Sequence, residues 1–167
     1  TRSLDSRFSS GKPWEYDIKE SGFNFRLDEI RSALGLSQMK RLDKFNDLRK
    51  KASEYYTSQL TDVKGIITPK ISKNNENSFH LYIIRITKDF PLTRDVLFKK
   101  LLNNGIRTSV HYKPLNQFTL FKKMAKSYDK LEISNMLYDE ILSLPMYPTI
   151  RKSDQNYVIK NIKNGII

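Results

Sequence analysis

The sequence predicts an α/β domain in two layers, with a sheet of about three strands, flanking helices and a long helical segment near the N-terminus. From residue 78 onward, segments with strand periodicity alternate with segments of helical periodicity. Before them, residues 27–60 keep apolar side chains at helical spacing almost throughout. Because the apolar face of a sheet must be covered, this order favours helices packed on strands. The 167 residues are enough for one domain with a core.

The helical segment is expected to begin at Leu27 and to be apolar on more than one side. One stripe along the helix consists of Leu27, Ile30, Leu34 and Gln38. Four further residues widen it towards a second side: Ala33, Leu36, Met39 and Leu42. A cap or bend is expected at Asp43, followed by an amphipathic helix that ends near Leu60. The wide apolar surface of the first helix predicts that it contacts two neighbours.

Three segments are predicted to form the sheet. The clearest strand is FHLYIIRI at residues 79–86, and IRTSVHY at 106–112 and SLPMYP at 143–148 follow it. GIITP at 65–69 is interpreted as a short extended piece, and WEYDIK at 14–19 as a short strand or extended segment.

Helices are predicted between and after these strands. PLTRDVLFKKLLNNG has signals at both ends, with Thr93 as the N-terminal cap and Gly105 as the C-terminal cap. A short helix is expected around residues 118–124 and a longer one over 131–142. A last helix is expected to have Ser153 as its N-cap.

The residue counts exclude several kinds of site. The absence of Cys excludes disulfides, thiolate metal sites and thiol nucleophiles, and two His are too few for a His-built metal site. His80, in the apolar stretch FHL, is expected to pack in the core or an interface. No run of 18 apolar residues occurs, so no membrane partner is expected and a cytoplasmic location is favoured. Because the chain opens with TRSLDSRFSS and no Met, we expect a fragment of a longer protein.

The formal net charge of +12 is typical of proteins that bind nucleic acids, because clustered cations release counterions from phosphates. Lys outnumbers Arg by 20 to 10, and Asn and Ile are also abundant, so a general compositional bias explains the charge as well as a binding face would. A basic nucleic-acid-binding domain is therefore an alternative function, and we expect only weak, nonspecific binding.

Two short stretches carry the candidate site residues. Asn24 and Arg26 lie in GFNFR just before a predicted helix, where backbone N–H groups and an amide suit an anion, although Asn beside Gly is also ordinary turn chemistry. His111 and Tyr112 lie at the end of a predicted strand, where side chains commonly face a cleft. The alternative for His111 is a partly buried ring bonded to backbone.

Four separated segments together resemble the nucleotide-sugar aminotransferases of the DegT/StrS type, which use pyridoxal phosphate. These segments are WEYDIKESGFNFRLDEIRSALGLSQMKRLDKF, SFHLYIIRI, GIRTSVHYKPLN and ILSLPMYPTI, in the same order and with compatible gaps over residues 14–160. The resemblance implies a fold like that of aspartate aminotransferase, in which a large N-terminal domain holds the cofactor and a small C-terminal α/β domain closes over it. This chain would be the C-terminal portion.

The resemblance also implies how the chain is divided and what it lacks. Residues 1–26 correspond to the end of the large domain, 27–60 to long connecting helices and 61–167 to the small domain. The family's Schiff-base Lys stands in an S-x-[HY]-x-x-K context that does not occur here, so no catalytic residue is predicted and the fragment is expected to be inactive and to bind no pyridoxal phosphate. The parent enzyme would aminate a nucleotide-linked ketosugar in polysaccharide or amino-sugar biosynthesis.

Four residues match positions to which the family assigns a role. Asn24 resembles the Asn that reaches the cofactor phosphate of the neighbouring subunit in a dimer, and Arg26 the Arg of the same motif. His111 and Tyr112 occupy the His-Tyr that the family places near the sugar nucleotide. Three positions depart from the family pattern. Phe23 and Phe25 stand where the family often has Tyr, and Asn116 stands where it often has a second His.

The partners implied by the resemblance are a second copy of the chain, the missing large domain and a nucleotide sugar. The two-sided helix of residues 27–42 would then have one side on the large domain or a partner subunit. Leaving even about 400 Å² of apolar surface uncovered costs on the order of 10 kcal/mol, so self-association of the isolated chain is expected. A non-catalytic association module is the alternative function from a different class.

Overall fold

The computed structural model describes residues 23, 25–72, 74–124 and 131–165. The chain divides into two compact units, Thr1–Lys40 and Arg41–Ile167. The predicted extended segment at 14–19 and the candidate residue Asn24 lie outside the described residues. The division at 26 and 60 that the resemblance implies stays a prediction.

In the first unit, helix α1 covers Glu29–Met39. It begins later than predicted because Asp28 caps it: Oδ1 of Asp28 accepts a hydrogen bond from the backbone N–H of Arg31 at 2.8 Å. The backbone turns at residues 40–41, before the bend predicted at Asp43. None of the residues of α1 is buried, and Ile30 is 85% exposed. The wide apolar surface predicted from the sequence is therefore present, and its described side chains are exposed.

In the second unit, helix α2 covers Leu42–Leu60 and contributes two tyrosines to the packing. Tyr56 is fully buried, stacks on Tyr82 with ring centroids 5.1 Å apart and donates its hydroxyl to the carbonyl oxygen of Pro145 at 3.2 Å. The Tyr82 hydroxyl lies 2.8 Å from Oγ1 of Thr57. Burial raises the pKa of Tyr56, and it raises the pKa of Tyr82 to about 12.

We expect the free energy of unfolding to fall as the pH rises above 10. Unfolded tyrosine ionises near its ordinary pKa of 10.0, whereas folded Tyr82 keeps its proton until about pH 12. Stability is therefore complete below pH 10 and decreases between pH 10 and 12, by roughly 1 kcal/mol per pH unit for Tyr82. Denaturant unfolding of Tyr82→Phe should show a weaker pH dependence than the wild type. The control Tyr157→Phe, at a half-exposed ring, should keep the wild-type slope; equal slopes for both variants would contradict the assignment.

Among the described residues three strands form one antiparallel sheet, the number that the sequence predicts, although the first of them was interpreted only as a short extended piece. In sheet order they are β1 at Ile66–Ile67, β2 at Tyr82–Ile86 and β3 at Ile141–Leu144. Ile66 pairs with Ile86, and Ile84 pairs with Leu142. Alternate residues of β2 are buried, as its period-2 pattern predicts, so the central strand turns one face to the core.

The strand predicted at 106–112 is wrong. Within this segment Ser109 alone pairs, through a single bridge to Ser143. After Ile106 no residue of the segment is buried. The segment therefore has no buried apolar face that would hold it in the sheet as a strand. The segment runs beside β3 as a loop, and this places His111 against the sheet without making it part of a strand.

The third strand begins where a helix was predicted to continue. Helix α5 covers Glu132–Glu140, and β3 starts directly after it at Ile141, before the predicted 143–148. Apolar residues at 141 and 142 fit both periodicities. The full burial of Leu142 against Ile84 of the central strand favours the extended conformation.

The remaining helices flank the sheet. Helix α3 covers Arg94–Asn103 and has both predicted caps: Oγ1 of Thr93 accepts a hydrogen bond from the N–H of Val96 at 3.4 Å, and Gly105 has a φ of 74°. A 3-10 turn at Leu115–Gln117 precedes helix α4 at Thr119–Met124.

The last helix, α6, covers Lys152–Lys163. The predicted N-cap Ser153 is wrong, because Ser153 lies inside the first turn and Arg151 occupies the cap position. Arg151 pairs with Asp154 at 3.0 Å and so closes the first turn. Fully buried side chains of the helices and strands meet in one core: Tyr56, Tyr82, Leu60, Ile84, Leu97, Leu101, Leu142 and Ile162.

Candidate functional site

The loop after α3 carries His111, which is half-buried against the sheet. Its Nδ1 lies 2.8 Å from Oγ of Ser143 in β3. The backbones of this loop and β3 are also joined, between Ser109 and Ser143. The N–H of Ser143 donates to the carbonyl oxygen of Ser109 at 2.8 Å, and the N–H of Ser109 donates to the carbonyl oxygen of Ser143 at 3.2 Å. The alternative interpretation, a partly buried ring bonded to backbone, is right about the burial of His111 but wrong about its partner, which is a side chain. Within the described part of the chain, Nε2 has no hydrogen-bond partner.

Tyr112, the second predicted substrate residue, is 72% exposed. Its ring meets that of His111 edge-on, with centroids 4.8 Å apart, and the peptide bond between the two residues is cis. The pair therefore offers an imidazole held on one side and a phenol open to solvent. Both are groups that can hydrogen-bond the oxygen atoms of a ligand.

The chain beyond Tyr112 is tied to α5 by side-chain amides. Oδ1 of Asn135 accepts hydrogen bonds from Nε2 of Gln117 at 2.9 Å and from Nδ2 of Asn116 at 3.4 Å. Oδ1 of Asn116 and Oγ1 of Thr108 are buried and, among the described residues, have no hydrogen-bond partner. Asn116, where the family often has His, thus takes part in a polar contact beside the candidate site.

Large apolar side chains are exposed along the same part of the second unit. They are Leu115, Phe118, Leu120, Phe121, Leu131, Ile133 and Met136. The rings of Phe118 and Phe121 pack at 80° with centroids 6.2 Å apart, and Nζ of Lys113 lies 5.2 Å from the Phe118 ring. Exposed apolar area of this extent is typical of surfaces that are covered in a larger assembly.

The predicted cofactor residues belong to the first unit. Arg26 is exposed on the segment before α1, and Asn24 is outside the described residues. The amide of Arg31 at the start of α1 is already occupied by the Asp28 carboxylate, and Glu29 adds negative charge to the first turn. An anion at this helix end would therefore meet two carboxylates, which is unfavourable for a phosphate group.

The described lysines do not fit the attachment of pyridoxal phosphate. A lysine that forms a Schiff base must be desolvated enough to lose its proton. Every described lysine is exposed except Lys100, which is half-buried and donates Nζ to the carbonyl oxygen of Asn164 at 2.8 Å. The described residues therefore do not supply the Schiff-base lysine, and the role of Arg26 at the cofactor stays a prediction.

His80 was predicted to pack in the core or in an interface, and the core part of this prediction is wrong, whereas packing in an interface stays a prediction. His80 is exposed, while Phe79 beside it is buried with a φ of 49°. The strand begins only at Tyr82, so the side chain of His80 is not governed by the alternation of β2. In the described ranges no group of three His, Cys, Asp or Glu side chains could hold a metal ion.

A separate pocket of about 1170 Å³ lies between one side of α2, from Asp43 to Ser58, and residues 69–79. Four carboxylates line it, from Asp43, Asp47, Glu54 and Glu76, together with one Lys. None of the predicted site residues lies in it.

The described helices include none long and apolar enough to cross a bilayer.

Sequence reasoning missed Ser143 and Asn135 as partners of the candidate site. Ser143 carries a signal, because it is a polar residue inside the apolar run ILSL of the final strand, where a buried hydroxyl needs a partner. Asn135 carries none, since an Asn on a helix is ordinarily solvated. Both contacts join residues distant in the chain, with separations of 32 for His111 and Ser143 and 18 for Gln117 and Asn135.

Comparison with known proteins identifies the family. The profile of the DegT/DnrJ/EryC1/StrS aminotransferase family matches residues 4–163. The UDP-4-amino-4,6-dideoxy-N-acetyl-beta-L-altrosamine transaminase of Campylobacter jejuni is 32% identical over 145 residues, which are 87% of this chain and 38% of that protein. The chain thus spans about two fifths of the length of the curated relatives that it matches.

Solved structures agree with the family match. Helicobacter pylori PseC, an aminotransferase involved in the biosynthesis of pseudoaminic acid, aligns with a TM-score of 0.79 and 27% identity over 92% of this chain and 41% of its own. A Streptococcus pneumoniae chain in its pyridoxal phosphate form aligns with a TM-score of 0.79 and 26% identity over 91% of this chain and 39% of its own. The aspartate-aminotransferase-like α/β fold expected from the resemblance is confirmed. The chain belongs to the DegT/DnrJ/EryC1/StrS aminotransferase family.

Proposed function

We propose that this chain is the C-terminal portion of a pyridoxal-phosphate-dependent aminotransferase that acts on a nucleotide-linked ketosugar in polysaccharide or amino-sugar biosynthesis. The family match over residues 4–163 carries this proposal. The transaminase named for a UDP-linked amino sugar supports the substrate class. A cytoplasmic location agrees with nucleotide sugars as substrates.

In this proposal the chain contributes to substrate binding and supplies no reacting group. His111 and Tyr112 bind the sugar nucleotide, and the half-buried, side-chain-anchored ring of His111 supports that role. Asn24 and Arg26 reach the cofactor phosphate of a neighbouring subunit. Pyridoxal phosphate, when bound, supplies the electron sink of amino transfer, and its Schiff-base Lys lies outside the described part of this chain.

The isolated chain should form no stable adduct with pyridoxal phosphate. The described lysines are exposed or bonded to a carbonyl, so none lies in the desolvated surroundings that Schiff-base formation requires. We expect borohydride reduction after incubation with the cofactor to leave at most scattered, substoichiometric labels by mass spectrometry. An intact family member, H. pylori PseC, treated in parallel is the positive control. A stoichiometric adduct on a single Lys would show that this chain holds a cofactor site.

A non-catalytic association module is the second candidate, favoured by the exposed apolar residues of α1. Self-association is expected for this module and for a homodimeric enzyme alike. Co-expression with the large domain of the same protein separates the two candidates. Restored transamination of a nucleotide-linked ketosugar supports the enzyme. A stable complex that shows no transamination supports the association module.

Self-association itself is expected to depend on α1. Sedimentation of the chain at high concentration should show a dimer or larger species, and Ile30→Glu, at an 85% exposed apolar site, should shift it towards monomer. The matched control Leu102→Glu places the same charge at a half-exposed leucine of α3 and should sediment like the wild type. A wild-type chain that sediments as a clean monomer would refute the prediction.

A further inference from the structure

Ser143 occupies a buried position in β3 where its backbone is fully used. It pairs with Ile83 of β2 on one side and with Ser109 on the other, through two backbone hydrogen bonds. Ser143 is only 4% exposed. Its hydroxyl is therefore held in place by the strand, and it lies 2.8 Å from Nδ1 of His111.

The direction of this hydrogen bond follows from the need of the buried hydroxyl hydrogen for an acceptor. In the described ranges, Nδ1 of His111 is the hydrogen-bond partner of the Ser143 hydroxyl. If Nδ1 carried the proton and donated it, the Ser143 hydroxyl hydrogen would lack an acceptor in a buried place, which is unfavourable because the lost hydration would not be replaced. If the hydroxyl donates, both groups are satisfied. A neutral imidazole that accepts at Nδ1 carries its hydrogen on Nε2.

We infer that Ser143 is a positioning residue that holds His111 in the Nε2–H tautomer. The ring then presents a hydrogen-bond donor at Nε2 and cannot accept a proton there while neutral. The ligand group that fits is an oxygen acceptor, such as a phosphoryl or carbonyl oxygen. This last step rests on the proposed role of His111 in binding a sugar nucleotide, whereas the tautomer itself does not.

The chain offers a direct test because it contains two His, and the exposed His80 is an internal reference. We would label both imidazoles with nitrogen-15 in the full chain and record long-range proton–nitrogen correlations above pH 8, where imidazoles are ordinarily neutral. His111 should show a protonated, pyrrole-like Nε2 and a pyridine-like Nδ1. A protonated Nδ1 in the wild type would overturn the inference.

Two substitutions distinguish positioning from packing. Ser143→Ala removes the hydroxyl at nearly constant volume, so the tautomer populations of His111 should shift towards those measured for exposed His80 in the same sample. Ser143→Thr keeps a hydroxyl and, being a good strand former, should restore the wild-type signature. A His111 spectrum unchanged in Ser143→Ala would refute the role of Ser143. The nitrogen-15 spectra of the wild type and the variants do not depend on amino transfer. A failure of the tautomer assignment is therefore seen in these spectra, whereas a failure of the proposed function leaves them unchanged.

Discussion

Replacing Gly65 by alanine should destabilise the second unit by about 3 kcal/mol, from overpacking and positive φ together. Gly65 has a φ of 81°, and a Cβ at this position would lie 2.2 Å from the backbone nitrogen of Phe90. The atoms in the way are backbone atoms, which cannot rotate aside as a side chain could. The carbonyl oxygen of Gly65 also accepts a hydrogen bond from the N–H of Thr87 at 2.8 Å, so a shift of this turn would disturb the start of β1.

Gly105→Ala is the matched control for Gly65→Ala. Gly105 has a similar φ of 74°, but nothing lies within 4 Å of the position that a Cβ would take, so only the left-handed conformation costs energy, about 1 kcal/mol. Chemical denaturation of both variants measures the difference. Equal losses of stability would mean that the backbone of Phe90 yields, and the steric argument would fail.

Replacing the buried Arg94 by methionine should cost about 2–4 kcal/mol. Arg94 is 8% exposed, and its Nη1 donates to the carbonyl oxygens of Tyr138 at 2.9 Å and Ile141 at 3.2 Å. Its Nε donates to Oδ1 of Asp95. Methionine fills much of the volume but donates nothing, so two carbonyl oxygens at the end of α5 would lose their partner.

Arg151→Met is the control for Arg94→Met. Arg151 also pairs with an aspartate in the first turn of a helix, yet its side chain is 78% exposed, so its removal should leave the unfolding midpoint nearly unchanged. Thermal or denaturant unfolding compares the two variants. Similar midpoints for both would show that the carbonyl contacts of Arg94 contribute little.

Local signals predicted part of the fold correctly. The caps of α3 at Thr93 and Gly105 and the existence of the central strand depend on residues close in sequence, and all three are confirmed, although the strand begins at Tyr82 and not at residue 79. The strand predicted at 106–112 failed because strand formation depends on pairing and burial, which neighbours in sequence do not reveal. The start of β3 was misplaced for the same reason, since apolar residues at 141 and 142 satisfy either period.

For the candidate site, the sequence could name His111 and Tyr112 but not their surroundings. Their place at the end of a predicted strand and the resemblance to the family selected them, and their role in binding stays a prediction. The orientation of His111 depends on Ser143, which a separation of 32 residues along the chain hides from local patterns. The exposure of His80 was missed because an apolar neighbourhood in sequence was taken for burial, whereas Phe79 alone enters the core.

The distribution of the core along the chain has a consequence for how such a domain can be exchanged between proteins. Among the described residues, every buried apolar side chain lies at Ala52 or later. A genetic crossover within or before α1 would therefore leave the interior of the second unit intact. Recombination could join this unit to a different preceding segment without removing any of these buried side chains.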